Sequence, residues 1–433
     1  MSDDALPQLP ADLRAEALSG DADPEVVLAW MGAVQRGFTD AHPSATQRDR
    51  YQEFLRADEV RVIAVHPDPA PPFHDGMPVA TIASWAGRLH AGGAELLPAH
   101  LITDVTVSVL HRRRGVLSSL LAADLRHGRQ AGRAVALLTS SEGGIYGRFG
   151  FGVAVRRQRL TLDTRPGLAW RRGVDDGGQV VLALPATAHP GVVTAFDAYL
   201  QHTRGEVARP AFWRPIEDGS FDWDADGPNA KLRTALRLAA DGTPDGYATY
   251  TIDRKDDVTT LGLHQLLGTP AAERHLWQVL SSIDLVERIE HPRAALDLRL
   301  DQQLLDPRRV KVTSVGDHLW LRILDLPAAF AGRAWGADGD VVLEVEDRLD
   351  LIAGRWRVTV RDGVATTAPA DLEADLEADV RLDAETLGAW FLGDLPAGVL
   401  ADCDRLEARD AEALARFAAV GDLPSPPRCT TGF

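Results

Sequence analysis

The sequence predicts an α+β protein of several domains, and three observations carry that prediction. A strand, turn, helix and strand follow one another between residues 104 and 139. A strand-then-helix order returns between residues 258 and 282, and from residue 310 onward the order of elements changes. With 433 residues the chain has the length of two to four domains and ample material for a buried core.

Taken in order, residues 24–38 read as a helix, because Val26, Val27, Trp30, Met31 and Val34 make an apolar stripe behind an Asp23-Pro24 cap and first turn. Trp30 and Phe38 suit either the wall of a ligand pocket or the core, and aromatics on a helix face are more often core. Residues 61–65 and 79–84 are strands on either side of a proline-rich loop, so an antiparallel meander comes first. Val105, Val107 and Val109 then alternate with Thr106 and Ser108 at the two-residue period of a strand. From Val116 the period becomes helical, with Leu117, Leu120, Leu121 and Leu125 on one face and Gly132 to close the helix. A strand at 134–139 completes a βαβ crossover, which calls for parallel strands and a right-handed connection.

Chemistry enters at the turn inside this crossover, His111-Arg112-Arg113-Arg114-Gly115. Unpaired N–H groups at a helix start carry partial positive charge and hold phosphate, glycine admits a close approach, and flanking arginines add charge-assisted hydrogen bonds. One glycine is too few for a dinucleotide fingerprint, and no Gly-Lys-Ser/Thr is present for a Walker loop. For the Arg-Arg-Arg-Gly run alone, a solvated basic turn capping a helix is the plainer reading.

With Tyr146 and Gly150-Phe151 one strand later, the unit resembles the acetyl-CoA-binding core of the GNAT N-acetyltransferases. The run Ser140-Ser141-Glu142-Gly143-Gly144-Ile145-Tyr146-Gly147-Arg148-Phe149-Gly150-Phe151-Gly152, the basic turn before it and the terminal Phe433 resemble, more narrowly, the Eis (enhanced intracellular survival) family of bacterial acetyltransferases. That resemblance implies two GNAT-like acyltransferase domains in tandem, at 1–155 and 156–309, and a sterol-carrier-like α+β domain at 310–433 whose tail returns to the active site. It also implies acetyl-CoA as co-substrate, a homohexamer, and aminoglycosides as possible acceptors.

By the same resemblance, Val105, Thr106 and Val107 would pair with the pantetheine arm, and Arg113, Arg114, Gly115, Val116, Leu117 and Ser118 would surround the pyrophosphate. Ser141 and Glu142 would complete the cofactor wall. Leu117 is a departure, since GNAT turns usually carry a small residue there, and it bears on the depth of the pyrophosphate seat. Tyr146 would be the general acid; a phenol of ordinary pKa about 10 is a competent donor to a thiolate whose parent thiol lies near 8.5. The C-terminal carboxylate of Phe433 would be the general base. Pro426-Pro427 would stiffen the approach, Gly432 would permit an unusual turn, and an apolar seat for the Phe433 ring would raise the basicity of the carboxylate.

The next unit begins after a strand at 156–162 and continues with a strand at 179–184, a helix at 192–202 and a hairpin of 235–238 with 246–252. The strand at 258–263 and the helix at 271–282 repeat the plan of the first unit. The turn between them, Leu266-Leu267-Gly268-Thr269-Pro270, has no arginine, so a structural role is expected there in preference to a second active site. The last third shows strands at 318–323, 341–345, 355–360 and 378–382 and helices at 327–333, 384–391 and 411–420. A scaffold that presents the chain end is preferred there to a lipid pocket, and the acidic run at 371–379 reads as solvated.

Composition narrows the partners. A net charge of −17 disfavours nucleic acid and suits a cationic small-molecule acceptor, polyamine-like for instance, although solubility alone accounts for it equally well. Cys403 and Cys429 form no C-x-x-C pair, so neither a disulfide framework nor a metal site is expected, and a reactive-thiol role for Cys429 is the minor reading. Lysine occurs only at 231, 255 and 311, a bias that reads as genome composition. No secretory signal is readable in residues 1–14 and no apolar run approaches the roughly 18 residues of a membrane span, so a cytoplasmic protein is expected. The rival from another class is a non-catalytic CoA- or lipid-binding sensor that uses the sterol-carrier-like domain.

Overall fold

A computed structural model of the chain describes residues 6–370 and 377–433. The first third contains β1 (Leu13–Leu18), α1 (Pro24–Phe38), α2 (Ala45–Ala57), β2 (Arg61–Pro67), β3 (Ala80–Leu89), β4 (Leu97–Val107), α3 (Val116–Gln130), β5 (Val135–Leu138) and β6 (Gly152–Asp163). The middle contains β7 (Gln179–Ala183), α4 (Pro185–His202), α5 (Trp213–Glu217), β8 (Arg233–Leu238), β9 (Pro244–Lys255), β10 (Val258–Gly268), α6 (Pro270–Ser281), β11 (Arg288–Ala295) and β12 (Val310–Ile323). The last third contains α7 (Leu326–Ala331), β13 (Gly339–Glu346), β14 (Gly354–Arg361), β15 (Val364–Pro369), β16 (Val380–Asp383), α8 (Ala384–Phe391), α9 (Ala397–Asp402), β17 (Leu406–Ala408) and α10 (Ala411–Gly421).

Among the described residues, twelve strands form one sheet in the order β1-β2-β3-β4-β5-β12-β6-β11-β10-β9-β8-β7, and five form a second, β15-β14-β13-β16-β17. The meander β1 to β4 is antiparallel and β4 runs parallel to β5, as the crossover requires. In the middle unit β10 runs parallel to β11, repeating the plan. The sheet continues across both expected domain boundaries: residue 155 lies inside β6, and β12, which opens the expected third segment, pairs with β5 and β6. The reason is burial, since His318–Ile323 is buried on both faces and therefore belongs inside a sheet.

Local chemistry explains the elements that were read and those that were not. The Asp23 side chain accepts from Glu25 N at 2.8 Å with Pro24 in the first turn of α1. Helix α2 carries only Gln52, Phe54 and Leu55 as buried residues, too few for a stripe. Its signal was the Ser44-x-x-Gln47 capping box, in which each side chain bonds the other's backbone N–H at 3.0 Å. Helix α4 starts earlier than expected, at Pro185, and runs through Pro190.

The third unit docks on the first through glycine. A Cβ on Gly152 would run into the backbone of Glu385 and Ala389, and one on Gly388 into the Leu321 carbonyl, so α8 lies directly on β6 and β12. Buried Arg322 reaches Asp347 at 2.6 Å and Arg156 reaches Asp394 at 2.6 Å, pinning the same contact. Trp390 stacks on Phe417 with ring centroids 4.7 Å apart, and the Arg333 guanidinium lies 4.0 Å from the Trp390 ring centre. In the acidic run, residues 371–376 lie outside the described residues. Asp379, expected in solvent, is buried instead, accepts from Val342 N at 2.9 Å and pairs with Arg416 at 2.7 Å.

Candidate active site

The site begins where two parallel strands part. Pairing between β4 and β5 covers Ala99–Ile102 and Val135–Leu138, after which β4 continues alone. On its other side β4 shifts register against β3: Thr103 faces Ala83 and Thr106 faces Thr81, so Asp104 and Val105 share one opposing residue. This is a β-bulge, and Asp104 takes a φ of 54°. The bulge corrects the expected alternation. The strand ends at Val107, Thr106 turns inward, and Val109–His111 is a short 3-10 turn with Val109 and Leu110 exposed.

The parted strands, the basic turn, α3 and the end of α1 enclose a cleft of about 670 Å³. Of the residues expected to hold CoA, Val105, Thr106, Val107, Arg113, Gly115, Val116, Leu117, Ser118, Ser141 and Glu142 line it. Arg114 does not: its guanidinium turns away to Asp12 at 2.6 Å. Arg112, part of the basic turn but not among the residues expected around the pyrophosphate, and Arg148, which had no assigned role, line it too. Phe38 is on the cleft wall and partly exposed, whereas Trp30 is core, stacked on Tyr51 with centroids 5.6 Å apart.

The turn suits a diphosphate. Arg113 and Gly115 both take left-handed φ values, 60° and 80°, and no side chain caps α3, so its first N–H groups stay free. A Cβ built on Gly115 meets nothing within 4 Å, which leaves open space for a ligand at that backbone. His111 lines the same wall; burial and then the Arg114 guanidinium lower its imidazole below the usual histidine range. Among the described residues, no group of three or more His, Cys, Asp or Glu side chains is arranged to hold a metal ion.

Tyr146 and Phe433, distant in sequence, line this one cleft. Tyr146 is 9% exposed, in edge contact with Phe151, and burial followed by the Glu142 carboxylate pushes its phenol up to about 12. The Thr139 hydroxyl, at the end of β5, donates to the Phe433 oxygen. The Phe433 ring meets Trp85 edge to face at 5.6 Å, and Trp213 Nε1 donates to the Gly432 carbonyl at 3.0 Å. Gly432 takes no left-handed φ, so the expected unusual turn is absent there.

The tail is tied by groups no sequence spacing reveals. Buried Glu206 accepts from Thr430 N at 2.8 Å and Thr431 N at 3.1 Å, and His318 Nε2–H donates to the Thr431 carbonyl at 3.0 Å. Arg428 reaches Asp297 at 2.8 Å and Glu273 at 2.9 Å. Cys429 is buried among them; burial and then Glu206 push its thiol well up, which removes the reactive-thiol reading.

A parallel strand pair that opens over an uncapped helix start, with a basic turn at its mouth, defines a GNAT acetyltransferase. Family models described as acetyltransferase (GNAT) domain match residues 22–154 and 205–323, and one described as sterol carrier protein domain matches residues 326–430. The chain is 32% identical over 430 residues to an N-acetyltransferase of Streptomyces avermitilis, covering 98% of each. It is 34% identical over 358 residues to the N-acetyltransferase Eis of Mycobacterium tuberculosis, covering 78% of this chain and 82% of that one. The crystal structure of Eis1 from Mycobacterium abscessus superposes with a TM-score of 0.78 at 25% identity, covering 97% of this chain and 100% of that one. The chain belongs to the Eis family of N-acetyltransferases: two GNAT domains in tandem with a sterol-carrier-like domain after them.

Proposed function

We propose that this acetyltransferase uses acetyl-CoA and passes the acetyl group directly, in a ternary complex, to an amine of a cationic small molecule of the aminoglycoside or polyamine kind. The observation that carries the reading is the meeting of the basic turn, Tyr146 and Phe433 in one cleft. Acetyl-CoA supplies an activated thioester. Arg113 and the free N–H groups behind Gly115 would neutralise its diphosphate, with Val105 to Val107 along its arm and Ser141 and Glu142 as the far wall. The Phe433 carboxylate would take the proton from the incoming ammonium, held in place by the Thr139 hydroxyl. Tyr146 would donate to the sulfur as the C–S bond breaks; with its phenol raised to about 12 it is fully protonated at neutral pH. A net charge of −17 favours a cationic acceptor.

We also assign the protein to the cytoplasm as a homohexamer, to be checked by light scattering of the purified protein. None of the described helices is long and apolar enough to cross a membrane.

Release of free thiol from acetyl-CoA, with and without an amine panel, tests the central reading. Tyr146→Phe should lower kcat about 10²- to 10⁴-fold with little change in the acetyl-CoA KM. Adding one residue after Phe433 should abolish turnover, and undiminished turnover would remove the terminus from the mechanism. Acetyl-CoA binding without thiol release across the whole panel would point to the non-catalytic sensor.

A further inference from the structure

Among the groups lining the cleft, the Asp104 carboxylate is one that the mechanism leaves without a task. Asp104 occupies the bulge of β4 at a φ of 54°, a left-handed conformation that aspartate tolerates better than most residues and that re-aims the side chain out of the strand's alternation. Asp104 lines the cleft, and Tyr51 of α2, behind the cleft wall, donates to its Oδ2 at 2.5 Å. Thr81 Oγ1 donates to the Asp104 carbonyl at 2.7 Å, and Tyr51 is itself wedged between Trp30 and Phe54. Packing therefore fixes where this carboxylate stands.

What it lacks is a cation. Arg112, Arg113, Arg148 and Arg157 line the same cleft, yet among the described residues none forms an ion pair with Asp104, whose carboxylate accepts from the Tyr51 hydroxyl. A carboxylate taken partly out of water without a partner costs free energy, and folds keep such groups where a ligand completes them. The cleft is thus divided: guanidinium groups stand by the turn, and an unpaired carboxylate stands by α2.

We propose that Asp104 holds a second ammonium group of the acceptor, so that the preferred substrates are diamines and polyamines with one nitrogen acetylated and another anchored at the bulge. This rests on the acetyl-transfer reading of the same cleft and adds a substrate rule to it. Tyr51 is a positioning residue that aims the carboxylate.

Steady-state kinetics with a linear diamine and a monoamine of equal length test the rule. The unmodified protein should favour the diamine, and Asp104→Asn, which keeps an oxygen for Tyr51 and removes the charge, should raise the diamine KM about tenfold to a hundredfold. The acetyl-CoA KM and the monoamine kcat/KM should stay within about twofold, a split that a loss of structure would not give. Tyr51→Phe retains the charge but removes its aim, and should weaken the diamine preference by less than Asp104→Asn does while leaving the monoamine kcat/KM unchanged. Equal losses for both amines in Asp104→Asn, or no diamine preference in the unmodified protein, would overturn the anchor while leaving acetyl transfer standing. Absence of thiol release with every amine would sink the acetyl-transfer reading and the anchor together.

Discussion

In the first GNAT unit β4 and β5 part beyond Ile102 and Leu138 and leave a cleft of about 670 Å³; in the second, β10 and β11 part beyond Gly262 and Glu290 and leave about 30 Å³. The helix starts differ in kind. Helix α3 begins at Gly115 with no side-chain cap and arginines beside it. Helix α6 begins at Thr269, whose hydroxyl accepts from Ala272 N at 3.2 Å, followed by Pro270, which has no N–H, and by Glu273 in its first turn. The second wedge is filled by the tail, where Arg428 pairs with Glu273 at 2.9 Å and Asp297 at 2.8 Å. One helix start is flanked by arginines and open to an anion; the other carries Glu273 with Asp297 nearby and is closed by the chain's own Arg428. The fold supplies a wedge in both units, and the charge and capping at the helix start decide what fills it.

Closing the second wedge differently should have the largest effect. Arg428→Ala leaves the partly buried Glu273 and Asp297 without their cation and should cost about 1–3 kcal/mol in denaturant titration. Turnover should fall with it, because the same tail carries Phe433; lost stability with intact turnover would separate the plug from the site. Reversing the first mouth comes next. Arg113→Glu should raise the acetyl-CoA KM about tenfold to a hundredfold, and an unchanged KM would mean that the open wedge is not the CoA seat.

Acid should loosen the filled wedge. Burial first, with Arg293 for His291 and Arg157 then Arg293 for His318, pushes both imidazoles down to about 3. In the unfolded chain they protonate near 6.5, so the unfolded state binds more protons between these limits. Stability should be full above about pH 6.5 and fall toward pH 3 by about 1.4 kcal/mol per pH unit for each histidine. Melting curves across that range, with His318→Asn flattening the slope, check this. Smallest of all, Thr269→Ala should remove about 1 kcal/mol of stability and leave turnover unchanged, as a purely structural second mouth requires. A change in acetyl-CoA kinetics from that variant would count against the asymmetry.

Much of the first unit was legible because its signals are local. The Asp23-Pro24 cap, the leucine stripe of α3 and the Arg113 to Gly115 turn lie within single elements, and Arg113 and Gly115 line the cleft while Arg114 departs from it. The bulge at Asp104 was illegible because one extra residue changes which side chains face inward without changing their types. Arg114 could not be told from Arg113: three arginines in a row are equivalent until a left-handed backbone sends one to Asp12 and another to the cleft. Helix α2 hid behind polar residues because it buries only one edge, and Asp379 looked solvated because its partners Arg409 and Arg416 are more than a turn of sequence away.

The sequence by itself determined the crossover, the basic helix mouth, the glycine-flanked Tyr146 and the absence of arginine from the second turn, all consequences of side-chain types at short spacing. The tertiary structure brings Phe433 and Tyr146, joined beforehand only by family resemblance, to one cleft, and it alone decided that Arg428 plugs the second wedge and that Asp104 stands beside Tyr51 without a cation. Those three depend on contacts between residues far apart in the chain, whose energies come from burial and pairing in a shared interior and leave no periodic trace along the polypeptide.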